Sequence, residues 1–219
     1  MNNAIRDHWK VHPLLEANPI SIRALKPAGS AQNLYPVNKF YRPADFESSD
    51  ALMQQFERDA LQLNQQGYNV YTVMNVIRED LPADRAVVDA DIVARRTLLV
   101  DIDRVGDTKN PATDEEVAAA FALAKDVARY LDDQRFPKPI WVHSGNGAHL
   151  YYRLQPVNEA LVGTSVSKLL KGIAKRFNNE IVGVDTCVSN PSRITKVIGT
   201  LARKGVESEG RPFRVAKLI

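Results

Sequence analysis

Apolar residues recur every three or four positions along three long stretches of the chain, which is the spacing of one buried helix face. In the second stretch, Thr113 and Glu116 have the spacing of a capping box, a pattern that typically starts a helix. Two shorter stretches have weaker helical patterns. The sequence therefore predicts helices over residues 49–66, about 113–133 and 158–178, with shorter ones over residues 1–17 and 83–90.

Other short stretches are rich in β-branched and aromatic residues or alternate between apolar and polar positions, as strands do. Between the first predicted strand and the next helix, the breakers Pro27, Gly29, Pro36 and Pro43 favour a loop over residues 27–48. The predicted strands cover residues 20–25, 68–77, 97–103, 140–143, 149–154, 182–188 and 193–198.

From residue 97 onward the predicted order is strand, helix, strand, strand, helix, strand. That order is typical of the split βαβ, ferredoxin-like plan, so an α+β fold is expected. In this plan the first strand lies between the third strand and the last. Residues far apart in sequence are thereby expected beside the same strand end.

Composition narrows the class of protein only slightly. The 219 residues are 44% hydrophobic and 25% charged with a net charge of +3, which neither requires nor excludes a polyanionic partner. The one cysteine, Cys187, rules out an intrachain disulfide and a Cys-rich zinc module. The N-terminus lacks a signal-peptide pattern, and no apolar run approaches the roughly 20 residues of a membrane span. A cytoplasmic protein without a membrane partner is expected.

Three aspartates are the strongest candidates for chemistry. Asp101 and Asp103 are two residues apart on a predicted strand, so they share one face and repel each other unless a cation lies between them. Asp185 lies in an apolar run, where an unpaired carboxylate is costly. Three converging carboxylates suit Mg²⁺ or Mn²⁺, and two such ions can activate a 3′-hydroxyl and stabilise leaving pyrophosphate. The alternative is that these aspartates are solvated strand ends.

Two polar segments could contact phosphate. In SGNGAHLYY, Gly145 and Gly147 allow a close backbone approach to a ligand, and His149 could donate to a phosphate, although a plain glycine-rich hairpin fits as well. In NPSRITKVIGT, Arg193 and Lys196 could meet a triphosphate or be solvated cations. Four further basic residues follow, as a nucleic-acid surface or a solvated face: Arg203, Lys204, Arg211 and Arg214. His143 is expected to be structural, and His8 and His12 have no assigned role.

These segments occur in the order of the three motifs of the archaeo-eukaryotic primase superfamily. DID at 101–103, SGNGAHLYY at 144–152 and the VD-then-PSRITKVIGT segment at 184–200 resemble in particular the primase-polymerases of plasmids, phages and mobile elements. YNVYTVMNV resembles a strand that those proteins carry earlier. The resemblance implies one catalytic domain over residues 1–219. It would contain an N-terminal α/β module over 1–96 and an RRM-like module over 97–219, with the site in the cleft between them.

The resemblance also implies roles for individual residues. Asp101, Asp103 and Asp185 would bind two Mg²⁺ or Mn²⁺ ions, and Tyr71 and Asn75 are suggested to line the sugar. The incoming NTP or dNTP would be bound by five further residues: Ser144, Gly147, His149, Arg193 and Lys196. Further expected partners are a single-stranded DNA template and, as a candidate, a replicative helicase domain or protein. The expected function is a template-dependent nucleotidyltransferase, a DNA-directed primase or polymerase.

Other classes of protein remain as alternatives. A non-catalytic RRM-like nucleic-acid-binding module would need aromatic residues on its sheet face, where only Tyr151 and Tyr152 are near. A replication-initiator nickase would need a His-x-His pair, which the sequence lacks. A Toprim enzyme also has an Asp-x-Asp strand, but SGNGAH and the lone Asp185 fit it poorly. The sequence has neither a nucleophile elbow nor a Walker A loop.

Overall fold

A computed structural model of the chain describes residues 3–15, 17–82, 85–106, 108–157 and 159–219. The helices are α1 (Asn3–Arg6), α2 (His8–Val11), α3 (Ser49–Gln65), α4 (Asp114–Asp133) and α5 (Glu159–Phe177). The first strands are β1 (Ile20–Leu25), β2 (Val37–Tyr41), β3 (Asn69–Val73), β4 (Val76–Ile77), β5 (Ile92–Arg104), β6 (Ile140–His143) and β7 (Ala148–Val157). The later ones are β8 (Val182–Val184), β9 (Ile194–Lys196), β10 (Leu201–Ala202), β11 (Arg214–Val215) and β12 (Lys217–Leu218).

The larger sheet is six-stranded and is built around β5. Its order is β12–β6–β7–β5–β4. Strand β8 pairs with the same side of β5 as β4 does, but nearer the C-terminal end of β5. The predicted position of the first strand of the split βαβ unit, between the third strand and the last, is therefore confirmed. Helices α4 and α5 pack against this sheet through an apolar core that includes Val127 and Leu170. The capping box at Thr113 and Glu116 is formed at the start of α4.

A second sheet is four-stranded, in the order β2–β1–β3–β9, with each pair antiparallel. Its core is separate from the first, and the buried Leu52 and Phe56 of α3 pack there with Ile22 of β1 and Val70 of β3. Strand β10 pairs with β11, and β12 returns to β6. Together the described elements form a mixed α+β fold with antiparallel sheets. Among the described helices, none combines the length and the apolar character needed to cross a membrane.

Two predicted elements are wrong. Residues 27–48 contain β2, which pairs with β1 over its whole length, so the prolines at 36 and 43 bound a strand instead of excluding one. The helix predicted over 83–90 is absent from residues 85–90, and residues 83 and 84 lie outside the described part. Both terminal guanidinium nitrogens of Arg85 bond to Asp91 at 2.7 Å, and Asp91 also accepts from Val88 N. These bonds hold a loop that ends in a 3₁₀ turn at Asp89–Asp91 in place of the α-helix.

Other boundaries differ from the sequence pattern. The single helix predicted over 1–17 is two short helices, α1 and α2, and residues 1, 2 and 16 are not described. The predicted strand at 182–188 ends with β8, because the Asp185 side chain accepts from Cys187 N and starts a 3₁₀ turn at Thr186–Ser189. The chain then crosses over, so that β9 pairs with β3 in the four-stranded sheet. Residues after 193 thus contribute to both sheets.

Candidate active site

A row of three polar side chains crosses the six-stranded sheet at β5. Asp101 lies directly opposite His149 of β7, and on the other side its carbonyl oxygen accepts from Asp185 N at 2.8 Å. Residues directly opposite each other on antiparallel strands project to the same face. Asp103 lies two positions further along β5 and shares that face. The topology therefore brings together residues that are up to 84 positions apart in sequence, from Asp101 to Asp185.

Asp101 and Asp103 form a half-buried pair of carboxyl groups. The Oδ1 atoms of both are buried and have no hydrogen-bond partner among the described residues. Burial, together with the negative charge of Asp101, raises the pKa of Asp103 to about 6. Burial works to raise the pKa of Asp101 as well, but the charge and hydrogen bond of His149, together with the charges of Arg193 and Lys204, outweigh burial and lower that pKa. Two adjacent carboxylates that are largely shielded from water repel each other unless a cation lies between them.

His149 lies between Asp101 and a buried tyrosine. Its Nε2 is 3.2 Å from Asp101 Oδ1, an ion-pair distance, and its Nδ1 is 3.0 Å from Tyr151 Oη. Burial lowers the pKa of His149, but the charge and hydrogen bond of Asp101, together with the charge of Asp103, outweigh burial and raise that pKa. The ring is thus held at both nitrogens, with Nε2 directed at the carboxyl pair.

Asp185 belongs to the row but is engaged elsewhere. Its Oδ1 accepts from Cys187 N at 2.8 Å, and its Oδ2 lies 3.2 Å from Arg193 Nη2. Within the described ranges, no group of three or more Asp, Glu, His or Cys residues is arranged to hold a metal ion. Arg193, predicted as a triphosphate contact, is therefore an ion-pair partner of the predicted metal ligand Asp185.

The turn before β7 brings its backbone against β5. Ser144 Oγ accepts from Gly147 N at 3.0 Å, and Ser144 N donates to Gly147 O at 3.1 Å, which closes the turn. A Cβ atom at residue 147 would lie 2.2 Å from Ile102 O and 2.5 Å from Asp103 Oδ1. Only glycine fits there, because the turn touches the carboxyl pair. His143 accepts from Gly145 N at 2.9 Å through Nδ1, consistent with the structural role expected for it.

A cavity of about 460 Å³ opens over Asp101, Asp103 and His149 and is lined by residues of both sheets, whereas Asp185 and Gly147 do not line it. Lys196 of β9 reaches it from the four-stranded sheet. Its Nζ is buried, lies 4.4 Å from the ring centre of Tyr71, and has no hydrogen-bond partner in the described part of the chain. Burial, and then the charges of Arg203 and Lys204, lower the pKa of Lys196 well below its ordinary value. The cavity therefore places an acidic pair opposite several cationic side chains.

Most of the predicted site residues line this cavity. The lining includes Asp101, Asp103, Ser144, His149, Arg193, Lys196 and Tyr71. Asn75 does not belong to it, because its buried amide bonds to Pro191 O, Arg96 N and Thr97 N. Sequence reasoning missed Lys26 and Asn69, which also line the cavity. Lys26 follows a predicted strand and Asn69 lies inside one, and neither position carries a motif.

The basic C-terminal stretch divides into two parts. Arg203 and Lys204 line the cavity. Arg211 instead contacts Glu116 at 2.9 Å, and Arg214 contacts Asp114 at 2.6 Å. The second pair of arginines therefore holds the C-terminal segment against the start of α4 and contributes no free basic surface.

Comparisons with known proteins agree with this fold. The described chain is similar to the primase-polymerase domain of cyanophage S-2L, with a TM-score of 0.55, 16% identity, and coverage of 100% of this chain and 89% of that one. It is also similar to the polymerase domain of Mycobacterium tuberculosis ligase D, solved in complex with DNA, with a TM-score of 0.53, 16% identity, and coverage of 96% and 79%. No protein-family model matches the chain, and no curated protein does.

The likeness covers 96% to 100% of this chain and shows that the chain shares the fold of these two domains, in agreement with the fold that the resemblance to the archaeo-eukaryotic primase superfamily implies. Both similar structures are polymerase-type domains.

Proposed function

We propose that this chain is a template-dependent nucleotidyltransferase of the primase-polymerase class, which joins nucleoside triphosphates into primers or extends them. Its two sheets form the two-module core, with the site in the cavity between them. The observation that carries the proposal is the half-buried pair Asp101 and Asp103, whose buried Oδ1 atoms have no hydrogen-bond partner in the described part of the chain, facing a cavity lined by Lys196 and Lys204. Such a site suits a polyphosphate bound together with cations.

The residues present fit divalent metal ions. Asp101 and Asp103 offer hard oxygen atoms that have no hydrogen-bond partner in the described ranges, the donor type that Mg²⁺ and Mn²⁺ prefer. A bound pair of such ions supplies stabilisation of negative charge on the attacking and leaving oxygens. Asp185 would join the carboxyl pair if its ion pair with Arg193 opened. The same opening would free the Arg193 guanidinium for the triphosphate.

The other side chains act on the nucleotide by position and charge. His149 directs Nε2 toward the carboxyl pair, where an N–H would donate to a phosphate oxygen. Lys196 is buried without an anionic partner among the described residues, and an arriving phosphate would provide one. Ser144 and Gly147 shape the turn beside Asp103. No protein nucleophile is needed, because the chemistry depends on positioning and electrostatics.

A single-stranded DNA template is the proposed partner. The fold is shared with a ligase polymerase domain that was solved with DNA. The net charge of +3 is modest, so binding would depend on local cationic side chains such as those around the cavity.

The alternative of an RRM-like binding module without catalysis is disfavoured, because the aromatic side chains that would stack on bases are buried. Tyr151 and Tyr152 are 1% and 0% exposed, so neither can stack on a base. The acidic pair on the same sheet would repel a phosphate backbone in the absence of metal.

Primer extension tests the proposal. A labelled primer on a single-stranded template is incubated with NTPs or dNTPs and with Mg²⁺ or Mn²⁺, using the parent protein and the double variant Asp101→Asn/Asp103→Asn. We expect metal-dependent extension by the parent and a loss on the order of 10³-fold or more in the variant. The variant relieves the repulsion between the two carboxylates but also removes the ion-pair partner of His149, so urea denaturation is used to check that it stays folded.

The matched control removes the same charge from the exposed face of α4, as Asp126→Asn/Asp133→Asn, and should extend primers like the parent. Extension by the Asp101→Asn/Asp103→Asn variant at the parent rate would contradict the metal assignment. Absence of extension by the parent, with metal-independent binding of the template, would favour the binding module.

A further inference from the structure

A line of buried polar side chains connects the N-terminal segment to Asp101. His12 Nε2 lies 3.3 Å from Thr195 Oγ1 of β9, and the Thr195 hydroxyl hydrogen-bonds to Tyr151. Tyr151 Oη lies 3.0 Å from His149 Nδ1, and His149 Nε2 lies 3.2 Å from Asp101 Oδ1. The histidines, the threonine and the tyrosine are each less than 8% exposed, so water does not compete for these contacts.

The geometry at His12 indicates which way the hydrogen bonds run. His12 Nδ1 is buried and has no partner in the described part of the chain, whereas Nε2 faces Thr195. Burial lowers the pKa of His12 well below its ordinary value, so the ring is neutral and carries one proton. A buried N–H without an acceptor is costly, so the proton belongs on Nε2. His12 then donates to Thr195, Thr195 donates to Tyr151, and Tyr151 donates to His149 Nδ1.

We propose that the Tyr151 hydroxyl is a positioning group, which holds the His149 ring with Nε2 toward the cavity and, in the neutral ring, keeps the proton on that nitrogen. The orientation of His149 by Tyr151 does not depend on the proposed function; only its effect on nucleotide binding rests on that function. An Nε2–H can donate to a phosphate oxygen, whereas the opposite tautomer would present a lone pair to an anion. Contacts of this kind around a ligating histidine fix its tautomer in metal sites by the same logic.

The ring of Tyr151 also supports this arrangement. It meets the His12 ring edge-on, with the ring centres 5.4 Å apart and an angle of 89° between the planes. Because Tyr151 lies on β7 and Thr195 on β9, the hydroxyl lies at the junction of the two sheets. The contacts that orient His149 therefore reach to the four-stranded sheet, whereas the carboxyl pair lies on the six-stranded sheet.

The chain offers a closely matched control for the test. Tyr152 is the next residue on β7, is 0% exposed, and has a hydroxyl with no hydrogen-bond partner among the described residues. Tyr151→Phe and Tyr152→Phe each remove one buried phenolic oxygen, but only the first removes the contact to His149. A general effect of losing a buried hydroxyl should appear in both variants.

Two measurements are made on each variant. The first is the imidazole ¹⁵N chemical shifts of His149 at a pH where the ring is neutral, assigned by comparison with His149→Gln. The second is the KM for dATP and the kcat in primer extension with Mg²⁺. In Tyr151→Phe we expect ¹⁵N shifts of mixed tautomers, a KM raised about tenfold, and a kcat within about threefold of the parent. Tyr152→Phe should match the parent in both measurements.

A second pair of variants acts one step further along the line. Thr195→Val removes the hydroxyl that donates to Tyr151 and should shift the His149 tautomer in the same direction, whereas Thr195→Ser keeps the hydroxyl and should restore the parent spectrum. This pair decides the question if Tyr151→Phe does not fold. Unchanged ¹⁵N shifts of His149 in both Tyr151→Phe and Thr195→Val would overturn the proposal. If the parent does not extend primers, the proposed function fails, and the ¹⁵N measurement still decides the role of Tyr151.

Discussion

The contact between Gly147 and β5 allows one substitution to be worked out in detail. In Gly147→Ala, the new methyl group would lie 2.2 Å from Ile102 O and 2.5 Å from Asp103 Oδ1. An ordinary contact of carbon with oxygen is about 1 Å longer, so the turn must move away from β5 by roughly that amount. The φ angle of Gly147 is not in the left-handed region, so the cost is steric and not conformational.

The expected magnitudes follow from that displacement. Forcing one methyl group into a packed site costs about 1–3 kcal/mol of unfolding free energy. A displacement of about 1 Å at a reacting group lowers activity by roughly 10²-fold. Urea denaturation measures the first effect, and metal-dependent primer extension measures the second. Because the turn touches Asp103, we expect activity to fall more than stability alone would explain.

Gly172 provides the comparison. It lies on the exposed side of α5, and a Cβ atom there would meet nothing within 4 Å. Gly172→Ala should therefore raise the unfolding free energy by about 0.5–1 kcal/mol, as expected for alanine in place of glycine within a helix, and leave extension unchanged. Parent-like stability and activity in Gly147→Ala would refute the inference that this turn is packed against the carboxyl pair.

Two further predictions concern charge. His149→Ala should raise the nucleotide KM more than it weakens template binding, since the ring faces the cavity. Steady-state kinetics measure the first effect and fluorescence anisotropy of labelled DNA measures the second. Equal losses in both would indicate a structural role for His149. Burial opposes ionisation of Glu116, but hydrogen bonds from Arg211, Thr113 N and Arg104 outweigh it and lower its pKa from 4.5 to about 2. Because the folded-state pKa is depressed, this carboxylate stabilises the fold fully above pH 4.5, by on the order of 2–3 kcal/mol, and the contribution disappears as the pH falls toward about 2. The difference in unfolding free energy between the parent and Glu116→Gln should narrow over that pH range, and a constant difference would contradict the assignment.

The sequence was sufficient where local pattern and register decide the structure. The spacing of Asp101 and Asp103 fixes their shared face, because side chains alternate along any strand. The order of helices and strands places His149 and Asp185 beside them, since the split βαβ plan allows few arrangements. These features depend on period and connectivity, and both can be read from one sequence.

Features that depend on pairing between distant strands could not be read in this way. Lys196 faces the cavity because β9 pairs with β3, and nothing in the segment itself indicates that partner. Arginine is a residue type that often contacts phosphate, and Arg193 was predicted to do so, yet its side chain lies 3.2 Å from the carboxylate of Asp185. His12 received no role because its contacts, to Thr195 and Tyr151, are each more than 130 residues away in sequence.

The crossover of the chain between β8 and β9 has a consequence for dissecting the molecule. Asp185 is attached to β5, and Lys196, eleven residues later, is paired with Tyr71 on the other sheet. A fragment ending at residue 96 would leave the edge of β3 exposed, and the complementary fragment would carry β9 without a sheet to join. The two sheets are thus interlocked by connectivity. We expect the halves to reconstitute only when they are expressed together.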